Sequence, residues 1–142
     1  MQRIAAVICV VCVLFIMQLG CKGHDSTEVG ADVGVFVEQL KSAPYAMTPK
    51  ESLPEWLVGR INEFEKRPAS ITKVQIYKGK FNEQIVYFIL DSFSSCLCDF
   101  YAENGDRIPD EQLSLLRVSN KNWILIYEYG EIVLNLDELL KT

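Results

Sequence analysis

The sequence predicts an α+β domain in which two N-terminal helices pack on one face of a mainly antiparallel sheet of about five or six strands. Three observations predict it. Apolar residues recur at helical spacing in two stretches between Asp32 and Phe64. From Ile71 onward the apolar period falls to two, with glycine and asparagine marking reversals. The length suits a single modest core: 142 residues, or 122 once the first twenty are set apart. With 49% hydrophobic and 11% aromatic residues the chain is too apolar for a disordered protein. Its 14 Lys+Arg against 19 Asp+Glu, a net charge of −5, argue against the basic footprint of a nucleic-acid binder. The one histidine, His24, leaves little room for acid–base or metal chemistry.

The N-terminus reads as a targeting segment. Met1-Gln2-Arg3 supplies a short positive region, and Ile4 to Met17 is an unbroken run of 14 apolar residues. A spanning helix needs about 20 such residues, so this run reads as the apolar core of a signal peptide. It ends in Gln18-Leu19-Gly20-Cys21, which resembles the lipobox of bacterial lipoproteins. Gly20 and Cys21 match its last two positions, while Gln18 stands where the family usually has Leu. The resemblance implies removal of residues 1–20, diacylation of the Cys21 thiol, and anchoring in the bacterial cell envelope, at the outer membrane, through lipid. Lys22 to Ala31 is polar, has no apolar period and is expected to be a flexible tether. His24 sits within it and is expected to be solvated.

The domain proper is expected to span residues 32–142. Val33, Phe36, Val37 and Leu40 form one helical face, with Asp32 in position to cap it. Pro44 and Pro49 mark a connection. Ser52-Leu53-Pro54-Glu55 has capping-box spacing, and Leu53, Trp56, Leu57, Ile61 and Phe64 build a second apolar stripe that Pro68 ends. Strands are then expected over Ile71–Lys78, with Gly79 as a turn, over Gln84–Leu90, which is apolar on both faces, and over Cys96–Ala102. Asn104-Gly105 offers a tight turn with a short return through Arg107-Ile108. Pro109-Asp110-Glu111 opens a short helix to about Arg117. Trp123–Tyr129 and Glu131–Leu136 read as a final hairpin around Gly130, with a closing helical turn over Asp137–Thr142.

Between Leu53 and Ile108 the chain also resembles small bacterial envelope lipoproteins of unknown function. The matching residues are Leu53-Pro54-Glu55-Trp56-Leu57, Tyr77-Lys78-Gly79, Val86-Tyr87, Cys96 and Asn104-Gly105. That resemblance implies an α+β lipoprotein and carries no activity with it.

Few residues point to chemistry. Cys96 and Cys98 lie two apart on an expected strand. They can pack as small apolar side chains or, in an oxidising compartment, form a disulfide if the backbone bulges, since a straight strand holds their Cα atoms about 6.7 Å apart. Two thiolates are too few for a structural zinc site. Ser70-Ile71-Thr72-Lys73 matches the nucleophile motif of serine β-lactamases, which needs both side chains on one helical turn, whereas β-alternation follows here. The acidic pairs, such as Glu63 and Glu65, are sequence neighbours suited to a solvated surface. No cofactor is implied and the chain is not expected to be an enzyme.

A surface remains. If Val74, Ile76, Val86, Phe88, Leu90, Cys96, Cys98 and Phe100 face the helices, the opposite sheet face carries Tyr77, Tyr87 and Tyr101 with Lys73, Gln75, Ile89 and Asp99. Tyrosines among polar groups suit recognition, because the ring buries area while the hydroxyl stays wet. The sequence therefore points to a lipid-anchored envelope module binding a protein, peptide or glycan, not nucleic acid. A structural or assembly component, or an inhibitor of a secreted hydrolase, is the alternative.

Overall fold

A two-residue reversal sets the register of the sheet. In the computed structural model, which describes residues 26–94, 97–120 and 122–137, strands β1 (Val74–Phe81) and β2 (Gln84–Asp91) are joined by Asn82-Glu83. Both residues have positive φ, 49° and 63°. That is the mirror-image turn whose twist matches the strands it connects. Every pair then joins an even-numbered residue to an odd-numbered one: Ile76 lies opposite Ile89, and Tyr77 opposite Phe88.

The expected turn at Gly79 is therefore corrected. Gly79 lies inside β1, and it is glycine because a neighbour passes over it. A Cβ there would stand 2.0 Å from Asn120 Nδ2 and 2.9 Å from the Trp123 ring. Moving the turn to Asn82 shifts the register by one, so Val74 and Ile76 share a face with Tyr87 and Ile89, not with Val86 and Phe88.

Strand β3 (Phe100–Ala102) pairs with β2, and β4 (Ile124–Tyr129) with β1. The order is β3-β2-β1-β4, antiparallel throughout. Four strands form among the described residues, not five or six. The third is shorter than expected because the Phe100 N–H turns back to Cys98 O at 3.0 Å. The final hairpin does not form: after Gly130, Glu131 and Ile132 donate to Ala69 O and Thr72 O rather than to β4. Leu134 and Leu136 then pack against the core, and Asp137 pairs with Lys41. Beyond Asp137 the expected closing helical turn lies outside the described residues.

Helix α1 (Ser26–Lys41) takes up the last six residues of the expected tether, Ser26 to Ala31. Asp32 is thus interior rather than a cap, and its carboxylate lies 3.5 Å from Arg117 of α3 (Leu113–Ser119). Helix α2 (Glu55–Glu65) follows Pro54. Ser52 does not cap it; it belongs to a preceding 3-10 turn and its hydroxyl donates to Pro49 O at 2.8 Å.

The two long helices do not share a face. Phe36, Val37 and Leu40 of α1, with Leu113 and Leu116 of α3, cover the side bearing Tyr77, Phe88 and Phe100. Leu57, Ile61 and Phe64 of α2 cover the side bearing Ile76, Tyr87 and Ile89. This follows from β1 and β2 being central strands apolar on both sides: one layer of helices would leave half of those side chains in water.

Candidate functional site

The register that builds the fold separates the tyrosines expected to form one binding face. Tyr77 points to the α1 side, while Tyr87 and Tyr101 point to the α2 side. All three are buried, at 2%, 2% and 9% exposure. Lys73 stands just before β1, where its ammonium pairs with Glu128, next to Gln75. Asp99 lies before β3 and accepts from the Ser94 hydroxyl at 3.3 Å. The structure does not bring these five residues together, and helices cover both faces on which the three tyrosines lie.

The tyrosines serve the fold. On the α1 side the Tyr77 hydroxyl donates to Gln75 Oε1 at 3.1 Å. Burial, reinforced by the Glu128 charge, pushes its pKa up to about 12. On the α2 side Trp56 lies over Tyr87 and Tyr101, at 5.8 and 5.4 Å between ring centres, and donates its Nε1–H to Glu103 O at 2.9 Å. Its ring also closes over Gly105, whose φ of +93° makes the predicted Asn104-Gly105 turn. Arg60 donates to the Tyr101 hydroxyl at 3.2 Å. Glu65 accepts from Lys50 at 2.6 Å and from the Tyr127 hydroxyl at 2.9 Å. The Lys50 hydrogen bond, then that of Tyr127, holds the Glu65 carboxyl below its ordinary value. Burial first, and Glu65 second, raise Tyr127.

The remaining predicted sites resolve as follows. Cys98 is disulfide-bonded; Cys96, like Cys21 and His24, lies outside the described residues. Ser70 is exposed on a 3-10 turn over Ala69–Ile71, and Lys73 is held by Glu128 and by Gly130 O, so the two do not share a helical turn. Among the described residues no helix is long and apolar enough to cross a membrane.

The open surface lies elsewhere, along the β4 side. Ala31, Gly34, Val35, Glu38, Gln39 and Ser42 line a shallow groove of about 560 Å³ on the outer side of α1. Gln39 and Ser42 also line a second hollow, of about 270 Å³, that reaches Pro44, Trp123 and Ile124. Beyond it, Pro44–Thr48 runs extended beside β4 as a parallel fringe. Leu125 donates to Pro44 O, and Ala46 donates to Leu125 O, both at 2.9 Å; Thr48 donates to Ile126 O at 3.0 Å. Tyr45 is the bridging residue opposite Leu125.

In a parallel pairing the residue between two bonded neighbours turns its own N–H and C=O outward. Tyr45 therefore presents both groups away from β4, and Met47, between bonded Ala46 and Thr48, does the same. Neither residue's backbone has a hydrogen-bond partner among the described residues. Their side chains are 53% and 71% exposed, and Ile124 is exposed beside them. The sequence marked Pro44 and Pro49 only as punctuation. The available signal was that proline biases the residue before it toward extended backbone.

Fold and surface together define an α+β module with both sheet faces covered and one edge open. Compared with family models, curated proteins and solved structures, the chain matches none of them.

Proposed function

We propose that this chain is a lipid-anchored, non-enzymatic binding module of the bacterial cell envelope, lipidated at Cys21, and that it engages a protein or peptide through its open sheet edge. The observation that carries the reading is the pair of outward-facing, unbonded backbone groups at Tyr45 and Met47, flanked by their exposed side chains. An edge of this kind recognises extended chain by adding a strand, with backbone hydrogen bonds for affinity and side chains for selectivity. A glycan would find few charged or polar side chains there. Leu19-Gly20-Cys21 supports the anchor. With α1 starting at Ser26, four residues separate Cys21 from the helix. They reach at most about 14 Å, so the module would sit close to the bilayer.

The test has two arms. Cys21→Ser should abolish the acyl mass increment and release the protein from membranes; unchanged mass and retention would remove the anchor. A photo-crosslinking residue at Met47 should yield a protein adduct in cells, while the same residue at buried Tyr87 should not. Absence of any Met47 adduct would remove the edge as a binding site.

A further inference from the structure

We infer that the occupant of this edge is a second copy of the same chain, paired antiparallel about a two-fold axis through Ala46. The inference rests on the edge reading above and names its partner. Tyr45 and Met47 offer two donors and two acceptors, all on one side of the segment. In an antiparallel pair, opposed residues of the hydrogen-bonded kind exchange both bonds. Placing Tyr45 opposite the other copy's Met47, and Met47 opposite its Tyr45, satisfies all four groups of each copy at once. Ala46 then meets its own counterpart at the axis.

The ends of the segment set that register. One step beyond Met47 on the outward side is Pro49, which has no N–H, and its carbonyl already accepts from Ser52 at 3.0 Å. One step before Tyr45 is Ala43, whose N–H is taken by Leu40 O at 3.2 Å. The usable edge is thus three residues long and self-complementary, which is the condition for an isologous contact. A longer foreign strand would run past it unpaired on both sides.

Charge and side chains agree. Ser42 to Pro49 contains no ionisable side chain other than the Tyr45 phenol, in a chain that is 23% charged with a net −5. Copies that repel elsewhere can meet here without opposing like charges. The cross-strand pairs would be Tyr45 with Met47, twice, a sulfur–aromatic combination that is favourable at contact. So short an interface dissociates on dilution, and lipid anchoring would concentrate it.

Cysteine placement tests the register in the full chain, purified in mild detergent. At a non-hydrogen-bonded antiparallel position the two Cα atoms lie about 4.5 Å apart, within disulfide range. Ala46→Cys should therefore cross-link to a dimer under mild oxidation. Thr48→Cys should not, because the two-fold separates those positions by about 14 Å. Sedimentation of the wild type should show a mass rising to twice the monomer with concentration, and Ala46→Lys, which opposes two ammonium groups, should keep it monomeric. Ala46 is exposed, so the Lys variant should melt like the wild type. A wild type that stays monomeric, a dimer insensitive to Ala46→Lys, or equal cross-linking at positions 46 and 48 would overturn the inference. If the wild type is monomeric yet the Met47 photo-probe still yields an adduct with another protein, the edge reading survives and only the second copy is excluded.

Discussion

The two faces of the sheet are both buried, but by different chemistry. On the α1 side Phe36, Phe88, Phe100 and Trp123 stack with ring centres 4.7 to 6.4 Å apart. That side is held by contact area, which is non-directional. On the α2 side the rings belong mainly to tyrosines, and their hydroxyls are tied to Arg60, Glu65 and the Arg67 carbonyl. Hydrogen bonds there fix where one helix sits. The comparison teaches that the tyrosines on the two sheet faces are structural fasteners, and that the edge beyond β4, with Tyr45, is what neither layer covers.

Substitutions should separate the two faces. The largest loss is expected for Phe88→Ala, which removes a fully buried ring at the centre of the stack. It should cost about 3–5 kcal/mol, a large share of the stability of a domain of this size, and thermal melting would register it. Trp56→Ala on the other side should cost less, about 2 kcal/mol, because its ring is only half-buried at the rim over Gly105. Equal losses for the two would erase the distinction drawn between the faces.

Tyr127→Phe keeps the ring and removes one fastener, so about 1 kcal/mol should be lost near neutral pH. Its pH dependence sharpens the point. Glu65 sits below its ordinary value of 4.5, so its contribution is complete above that value and fades as pH falls through the lowered one. Tyr127→Phe should reduce that acid loss. Tyr77 and Tyr127 are raised, so their contribution is complete below 10 and is lost as pH rises, toward about 12 for Tyr77. Urea midpoints measured between pH 3 and pH 11 would show both limbs, and a flat profile would contradict them.

How much of this was legible depends on where the information sits. The helical stripe at Leu57, Ile61 and Phe64, the end at Pro68 and the Asn104-Gly105 turn are local patterns, and the structure carries each of them. The sheet register is not local. It hinges on Asn82-Glu83, where glutamate at positive φ is unfavourable, while Gly79 offers the stronger turn signal. Only the approach of Asn120 and Trp123, some forty residues later, explains that glycine. One displaced turn moved Tyr77 to the wrong side and put both helices on one face. The open edge was unreadable for a related reason: Tyr45 and Met47 acquire outward-facing groups only once Leu125 and Ile126 arrive beside them.

Glu83→Gly tests that hinge alone. Relieving a left-handed non-glycine residue should stabilise by about 1 kcal/mol. A loss instead would mean that the reversal is not held by that backbone conformation.

The edge is tested most directly by amide hydrogen exchange, residue by residue, over Tyr45 to Thr48. In dilute protein Ala46 and Thr48, bonded to Leu125 O and Ile126 O, should be protected, while Tyr45 and Met47 exchange at the rate of open chain. As concentration rises Tyr45 and Met47 should slow in step with the doubling of mass. Uniform protection, or uniform exchange, across the four amides would contradict an edge with one bonded and one open side.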